Sequence, residues 1–526
     1  MTDDASALLD IGSLRSSRQA LAAARGQAKL DLLLEAPDPV AFVQSIPPED
    51  LYFAVLDIGR DDAAEVVSLA SPDQFRTFID LSCWPRRDQG AVSPEVLHWL
   101  RLAREGGGDS DAAAERYKLN LAGLDVELLS LVLRKELRVI DLEEEPDPEV
   151  SEEGQTYRTP EGRFLVEFAK DGAGYAALRQ LLDDLVAQDP FVAHRMLESL
   201  RWEMPTELEE TARRWRDGRL RDLGFPGFEE AVAFYARPAT RAAPLPAEPS
   251  SPAAASLGAL IPIAGERPLL ERALELLDGD DFARAEEGII YASNAALVVS
   301  SVQLDDAAEV REQLQQARAT LTLGLEVLSG GDAARAAQVL AETAVRSIFQ
   351  AAMGEAYRLQ SRARAIAASA RLPQAQSATL FDPPLAEIVD TLAQKRPMLL
   401  EPGRRRPRAL GSRADVARAG QLLDEAEATV ALLGKLGIPP ATLGPLAESA
   451  GLGPAALRAS DAVRALAEAR LQGDSLSLAS IAAGADRPKS PLTAQKADEL
   501  LRDATAALDS PAAGRAAERL RAILAA

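Results

Sequence analysis

Arginine, tryptophan and turn residues are concentrated between Arg201 and Tyr235, which gives this stretch the clearest potential for binding chemistry. The side chains with that potential are Arg213, Arg214, Trp215, Arg216 and Arg219. Guanidinium groups pair with carboxylates and phosphates in a fixed fork geometry, and they also stack on aromatic rings. The stretch is therefore a candidate binding site for an anion or for an acidic partner peptide.

The same stretch also has a structural interpretation. A helix is predicted over 207–215, because Thr206 and Glu209 have the spacing of a capping box behind Pro205. The arginines would gather near its end, where positive charge stabilises a helix. The side chains that would then attach this segment to the preceding helices are Trp202, Phe225, Pro226 and Phe228. The sequence favours the structural role and leaves the binding role open.

Elsewhere the chain contains no complete catalytic, metal-binding or nucleotide-binding motif. Its two histidines, His98 and His194, each lack a second ligand at a fixed spacing. Cys83 is the only cysteine, which excludes an internal disulfide, and no histidine lies near it in the sequence to activate the thiol. The glycine-rich runs 106–108 and 172–174 precede no Lys-Ser/Thr pair. We therefore assign no catalytic residue, metal or cofactor.

The composition indicates a soluble globular protein with more than one domain. The chain has 526 residues, of which 47% are hydrophobic, and a formal net charge of −23. This length exceeds that of a single hydrophobic core. The acidic balance disfavours nucleic acid and anionic lipid. The longest apolar stretch, 289–304, is too short and too often interrupted to span a bilayer. We expect a cytoplasmic protein with no membrane insertion and no nucleic acid partner.

Aromatic residues divide the chain into two unequal halves. Of the 24 phenylalanines, tryptophans and tyrosines, 19 lie at or before Tyr235. The stretch that follows is rich in proline, alanine and serine, which is typical of an extended linker. We therefore predict a first domain over 1–240, a linker over 241–256, and a second, alanine- and arginine-rich domain over 257–526.

The first domain is predicted to be a stack of short helices. Helix starts with proline followed by an acid recur at Pro48, Pro72 and Pro94, and the serines before the last two are positioned to cap free amides. An apolar helix is expected over 119–139. The recurrence favours a repeat-like superhelix.

One β-hairpin is expected inside this helical domain. The run 141–153 holds eight acidic residues and no basic one, which predicts an extended, solvated segment. Behind it, Tyr157 and the alternating apolar residues from Phe164 to Phe168 flank a Pro-Glu-Gly turn, and this pattern predicts a hairpin near 155–169. The acidic run lacks the spacing of a calcium loop.

Longer helices with small side chains are predicted for the second domain, packed either as a bundle or as an array of helical hairpins. They are expected near 267–277, 281–302, 305–328, 332–370, 412–436 and 492–525. A loop over 397–411 contains the basic run Arg404-Arg405-Arg406-Pro407-Arg408. This run is a candidate docking site for an acidic partner or nucleic acid, but it has no interleaved aromatic residue for stacking. We interpret it as an exposed loop. The predicted fold class is therefore mainly α.

Three groups of residues carry a resemblance to a known family. They are the run from Ile46 to Leu51 (Ile-Pro-Pro-Glu-Asp-Leu), the region of Trp202, and the run from Arg216 to Ala231 with its Arg-Asp-Gly-Arg-Leu and Asp-Leu-Gly-Phe-Pro sequences. In these residues the chain resembles an uncharacterised bacterial family known only as a domain of unknown function. That resemblance implies no activity, cofactor or catalytic residue.

The Pro-Pro-Glu-Asp helix start also carries a more distant resemblance. It is similar to the cytosolic helical superhelix of bacterial magnesium channels and to the middle domains of flagellar motor switch proteins. These are stacks of short helices used for contact and gating. The chain departs from the channels because its sequence has no membrane segment and no nucleotide-sensing pair of domains, so the likeness supports a fold and not a function.

Three functional hypotheses follow. The leading hypothesis is a soluble cytoplasmic helical scaffold or regulatory module that binds an unidentified protein partner. The second is an enzyme or ligand-binding protein with an anion site around 213–221. The third is a regulator that responds to divalent cations through its acidic surface. The missing catalytic motifs favour the first hypothesis.

Overall fold

The computed structural model is mainly α-helical, which confirms the predicted fold class. Among the described residues it contains 23 helices and one three-stranded antiparallel sheet, and it is 70% helical. The structure describes residues 21, 24–84, 91–150, 155–168, 172–237, 268–300, 302, 304–372, 379–453, 457–474, 476, 478 and 490–525. The predicted linker at 241–256 lies outside these residues.

The chain divides into two compact units. The first comprises the described residues up to Phe234 together with Leu277–Gln315. The second comprises Pro268–Leu276 and Gln316–Ala526, with the residues just after Phe234. The grouping thus differs from the predicted domains, which place 277–315 in the second half. The physical reason is burial, since Leu297 and Val310 belong to the hydrophobic core of the first unit.

Short helices make up the chain as far as Phe234. They are α1 (Gln27–Leu34), α2 (Pro39–Gln44), α3 (Pro48–Ile58), α4 (Ala64–Leu69), α5 (Pro72–Ser82), α6 (Ser93–Glu105), α7 (Asp111–Ala122), α8 (Val126–Glu136), α9 (Gly172–Gln188), α10 (Pro190–Leu200), α11 (Pro205–Asp222) and α12 (Phe228–Phe234). As predicted, Ser71 caps α5, and it does so in a capping box with Gln74. Ser93 is instead the first residue of α6, because the carbonyl of Val92 already accepts the first helical hydrogen bonds.

A small sheet interrupts these helices and includes the predicted hairpin. Its strands are β1 (Leu137–Asp141), β2 (Gln155–Arg158) and β3 (Phe164–Phe168), in the order β1-β3-β2. The strand β1 corrects the predicted helix over 119–139, which is divided into α7, α8 and this strand. Val139 and Ile140 are β-branched and pair with Val166 and Leu165 on the edge of β3 that β2 leaves open.

Large aromatic side chains fill the core of the first unit. Tyr52, Phe78 and Trp99 are fully buried, with the rings of Phe78 and Trp99 5.2 Å apart between centroids. Their polar atoms are satisfied, since the indole N–H of Trp99 donates to the Ser82 hydroxyl at 2.6 Å and the Tyr52 hydroxyl donates to the Leu304 carbonyl at 2.9 Å. Such a core positions the helices through a few large contacts.

Longer helices dominate the rest of the chain. They are α13 (Leu269–Leu274), α14 (Gly279–Ser300), α15 (Ala307–Ser329), α16 (Ala333–Glu342), α17 (Val345–Ser369), α18 (Leu385–Ala393), α19 (Arg413–Lys435), α20 (Pro440–Ser449), α21 (Ala459–Gln472), α22 (Pro491–Leu508) and α23 (Pro511–Ala525). The predicted helices 332–370 and 492–525 are each divided into two. Thr343 is extended between α16 and α17, and Asp509 takes a φ of 44° before Pro511 begins α23.

Small residues form much of the second unit's core. Gly324 in α15 lies so close to α17 that a Cβ at this position would be 2.0 Å from the backbone oxygen of Ile348. The buried alanines of the C-terminal helices include Ala459, Ala462, Ala465, Ala497, Ala504, Ala513, Ala516 and Ala517. These side chains let helices approach closely. The superhelical and bundle arrangements stay predictions.

Candidate functional site

Helix α11 carries the candidate arginines, with one face buried in the first unit. It runs from Pro205 to Asp222 and so extends beyond the predicted 207–215 at both ends. The predicted capping box is wrong, because the helix begins at Pro205 and Glu209 instead accepts a hydrogen bond from Arg213 at 2.8 Å. The buried residues of α11 are Leu208, Ala212 and Leu220. Their helical spacing gives the helix a single inward face.

Arg219 lies on this inward side and binds two aspartates. It donates to both carboxylate oxygens of Asp80, at 2.7 and 2.9 Å, and to Asp125 at 3.0 Å. Asp80 is buried in α5, where a lone carboxylate would be costly. Burial lowers the pKa of Arg219, but the hydrogen bonds and charges of the two aspartates outweigh burial and hold the pKa above its ordinary value. The interaction therefore joins α11 to α5 and to the start of α8.

Arg216 is also bound internally. Its Nε donates to the backbone oxygen of Asp80 at 2.7 Å, and its guanidinium lies over the Trp84 ring at 5.5 Å. Burial lowers its pKa, against the charges of Asp80 and Asp217. Two of the five candidate binding residues, Arg216 and Arg219, thus have their donors directed at groups inside the first unit.

The other three candidates lie nearer the surface of α11. Arg213 bonds to Glu209, and Arg214 forms an exposed pair with Glu210 at 3.6 Å. Trp215 is 55% exposed. One turn later, Gly218 has open space around it, with no atom near the position of a Cβ. The structure therefore separates the candidate set into an internal pair and an exposed group.

The four residues assigned a structural role also fall into two groups. Phe225 and Pro226 are buried behind α11, and the amide of Phe225 donates to the Leu220 carbonyl at 2.8 Å. Trp202 and Phe228 are exposed, Trp202 by 70%. Exposure on this scale makes Trp202 an unusual surface residue, because a tryptophan side chain gains much more from burial than most.

Arg201 holds Trp202 in place from one side. Its guanidinium lies 5.0 Å from the Trp202 ring centroid and donates to Asp141 at 3.1 Å and to Glu144. Arg163 donates to the same Asp141 oxygen at 2.9 Å. The hydrogen bond from Arg163, followed by the backbone bond from Glu143 and the arginine charges, lowers the pKa of Asp141. The end of β1 is thereby fixed to the end of α10.

The acidic segment begins at this fixed point. The amides of Glu144 and Glu145 donate to the Asp141 carbonyl, which makes a turn. Glu143, Glu144 and Glu145 are exposed on it. We name the group formed by Trp202, Met204, Glu143, Glu144 and Glu145 the Trp202 surface. It combines exposed apolar area with negative charge, and it is built on a network of internal hydrogen bonds.

Sequence reasoning missed most of this network. Asp80 stands among apolar residues of α5, and that position on an apolar face was the available signal. Glu49 lies in the first turn of α3, where acids are common, but it is buried, and its Oε2 has no hydrogen-bond partner among the described residues. Burial raises the pKa of Glu49 to about 7. No spacing in the sequence indicates that Arg163 and Arg201 meet at Asp141.

Each histidine lies between an arginine and an acid. His98 has Arg101 at 3.2 Å from Nδ1 and Asp61 at 3.6 Å from Nε2. His194 has Arg163 at 2.9 Å from Nε2 and Glu161 at 3.7 Å from Nδ1. Because arginine only donates, the ring nitrogen that faces it is the one placed to accept. Burial lowers the pKa of His98. These contacts favour a structural role for both rings.

The described residues offer little to other kinds of site. No group of three or more His, Cys, Asp or Glu side chains there is arranged to hold a metal ion. Cys83 is buried, and burial raises its thiol pKa well above the ordinary value. No single described helix is long and apolar enough to cross a membrane, and α19 with α20 meets that criterion only as a pair bent by 70°.

Residues 8–525 match the family described as "Family of unknown function (DUF6178)". The chain belongs to this family. Membership of DUF6178 confirms the resemblance to an uncharacterised family, while the distant resemblance to magnesium channels and motor switch proteins stays a prediction. No curated protein and no solved structure matches the chain. Any function for this DUF6178 member must therefore be argued from its own geometry.

Proposed function

We propose that the protein is a helical scaffold or regulatory module that binds a partner protein through the Trp202 surface. The observation that carries the proposal is a tryptophan that is 70% exposed and yet positioned by Arg201, whose guanidinium also binds Asp141 and Glu144. Tryptophan is enriched among the residues that dominate binding energy in protein interfaces. A positioned side chain loses less conformational entropy on binding than a mobile one.

Met204 extends the apolar part of this surface. It is 58% exposed and lies two residues beyond Trp202, in the connection between α10 and α11. Methionine adapts its shape to a partner, since its side chain is unbranched and polarizable. The Trp202 ring thus offers a partner a rigid contact, and the Met204 side chain offers one that changes shape to fit.

Charge indicates the chemistry of the partner. Beyond Asp141 the described acidic segment exposes Glu143, Glu144, Glu145, Asp147 and Glu149. Arg201 and Arg163 neutralise Asp141 and part of the charge on Glu144 and Glu143, and the segment keeps a negative excess. Complementary charge steers association and fixes the register of an interface. The surface therefore suits a basic segment that carries an apolar anchor residue.

Trp215 provides a matched alternative position on the same unit. It is half-exposed on α11, beside Arg214 and Gly218, and belongs to the group predicted to bind an anion or a partner. Its surroundings include both signs of charge, whereas the Trp202 surface is negative. Replacing either tryptophan removes a similar exposed ring, so the two variants compare the two positions directly.

The experiment is affinity capture from the native host, followed by direct binding of the purified partner to the full chain. We expect wild-type protein and Trp215→Ala to retain the partner, and Trp202→Ala to weaken the measured affinity at least tenfold without a change in melting temperature. Loss of binding with Trp215→Ala alone would move the interface to α11. Equal binding by all three proteins would overturn the proposal.

A further inference from the structure

A basic hairpin projects from the second unit, within the predicted loop 397–411. Its ends are joined by an antiparallel bridge in which the Leu399 amide donates to the Arg408 carbonyl at 2.8 Å and the Arg408 amide donates to the Leu399 carbonyl at 3.0 Å. Gly403 makes the turn with a φ of 85°, a left-handed conformation that favours glycine. We name residues 402–407 of this hairpin the arginine tip.

The base of the hairpin is fixed to the start of α19. The Arg408 guanidinium donates to both carboxylate oxygens of Asp415, at 2.9 and 2.7 Å, and to Glu401 at 2.6 Å. Asp415 also accepts the Gly411 amide at 2.8 Å. Arg408 therefore has an internal role although it belongs to the same basic run as its neighbours. The bidentate pair gives the base a defined geometry.

The arginine tip itself is exposed. Arg404, Arg405 and Arg406 are consecutive surface residues, and Arg404 is 75% exposed at its side chain. Arg404 pairs with Glu401 at 3.4 Å, an exposed contact of the kind that contributes little to stability. Arg405 has no ion pair with a residue that the structure describes. Three adjacent arginines are thus exposed on a chain of net charge −23.

We propose that the arginine tip is a docking site for an acidic segment of a partner protein. Guanidinium forks bind carboxylates in pairs, and three of them in sequence match a run of acidic side chains. Pro402 and Pro407 restrict the backbone on either side, which lowers the entropy lost on binding. The arginine tip belongs to the second unit and the Trp202 surface to the first, and the two suit partners of opposite charge.

The same features disfavour nucleic acid as the occupant. Single-stranded nucleic acid is bound by basic grooves combined with aromatic side chains on which bases stack, and residues 402–407 include no aromatic. The strongly negative whole chain also repels a long polyphosphate backbone. A short acidic peptide is repelled less. At 0.1 M salt, screening limits the repulsion to charged groups within about 10 Å of the peptide.

Carboxylate and phosphoryl groups share the chemistry that guanidinium recognises, and the test separates these sources. Fluorescence anisotropy of the full chain is measured with three labelled peptides of equal length, made of glutamate, of glutamine, and of glutamine with phosphoserines. Labelled single-stranded RNA is the fourth probe. We expect an acidic peptide to bind, the glutamine peptide not to bind, and RNA to bind more weakly than the better acidic peptide.

The variant carries Arg404→Gln, Arg405→Gln and Arg406→Gln. Its matched control carries Arg335→Gln, Arg346→Gln and Arg515→Gln, which removes the same charge from exposed arginines elsewhere. We expect at least a tenfold loss of peptide affinity for the tip variant and less than a twofold loss for the control. Arg405→Gln alone should weaken peptide binding severalfold. This single variant shows whether the loss of affinity persists without the larger change, which could affect folding.

Several results would overturn this proposal. Equal weakening by the two triple variants would show that only net charge matters. RNA binding as tight as that of the better peptide would replace a protein partner with a nucleic acid. Failure of wild-type protein to bind either acidic peptide at millimolar concentration would remove the site. None of these results bears on Trp202→Ala, so the two surfaces are tested separately.

Discussion

The two units differ in the balance of the side chains that they bury, since most of the buried aromatic rings belong to the first unit. In the first unit, the large rings of Tyr52, Phe78 and Trp99 share the interior with the buried carboxylate of Asp80. In the second unit, alanines line the C-terminal helices, and Gly324 brings the backbone of α15 against α17. A core of large and charged groups is expected to lose stability when atoms or charges are removed. A core of small groups is expected to lose stability when atoms are added.

The largest expected effect comes from removing a charge in the first unit. Arg219→Ala leaves Asp80 buried without its partner, and we expect a loss of about 4 kcal/mol in the free energy of unfolding. All four tryptophans lie at or before Trp215, so tryptophan fluorescence during urea unfolding reports on this unit. The control is Arg214→Ala, which should change the free energy by less than about 0.5 kcal/mol.

A second variant separates the cost of the charge from the cost of the lost side chain. Adding Asp80→Asn to Arg219→Ala removes the unpaired carboxylate, and part of the lost stability should return. If the double variant is no more stable than Arg219→Ala alone, the penalty arises from packing, and the buried charge is not what distinguishes the first unit.

The next effect depends on pH and involves Glu49. Burial raises its pKa from 4.5 to about 7 in the folded state. The unfolded carboxyl ionises near the ordinary value, so the folded state binds the proton more tightly. Its contribution to stability is then complete below about pH 4.5 and is lost as the pH rises through 7, by about 3 kcal/mol in full. Glu49→Gln should therefore stabilise the first unit at pH 8 and change little at pH 4.

The matched control for this titration is Glu127→Gln, another first-turn acid, at the start of α8. Urea unfolding followed by fluorescence is measured at pH 4, 6 and 8 for both variants. If the free energy of unfolding of Glu49→Gln changed with pH in the same way as that of wild type, the account would be contradicted. Such a result would mean that the pKa of Glu49 is the same in the folded and unfolded states.

A smaller effect is expected from adding one methyl group to the second unit. In Gly324→Ala the new Cβ would meet the Ile348 carbonyl, so α15 and α17 must separate, at a cost of about 2 kcal/mol. Gly420→Ala in α19 places the same group in open space and should stabilise by about 0.5–1 kcal/mol. Hydrogen exchange of peptides from α15 and α17 measures the difference. If the amides of α15 and α17 were equally protected from hydrogen exchange in both variants, close packing would not be the basis of this core.

Local sequence signals predicted those features that depend on neighbouring residues. Ser71 predicted the start of α5, since a cap is completed within one turn. The hairpin of β2 and β3 was also predicted, because its two strands are close in sequence and are joined by a short turn. Strand β1 was missed because its pairing with β3 joins residues distant in sequence. A propensity for helix up to Glu136 gave no sign of where that helix must end.

The candidate site shows the same limit more sharply. The sequence identified Arg216, Arg219 and Arg404 by their residue type, but type alone does not reveal which arginine meets a buried aspartate. Trp202 and Trp215 likewise resemble core residues by composition, and both are exposed in the structure. Whether such a side chain has an internal or an external role depends on its contacts with residues that are far away in the sequence.

The most direct test of the central claim is the affinity of the full chain for a basic, amphipathic peptide. The probe is a synthetic lysine–leucine helix, compared with the same peptide in which serine replaces leucine. We predict that the leucine peptide binds more tightly, that Trp202→Ala raises its Kd at least tenfold, and that Trp215→Ala raises it less than twofold. Equal affinity for both peptides, or an equal loss in the two variants, would contradict a partner site at Trp202.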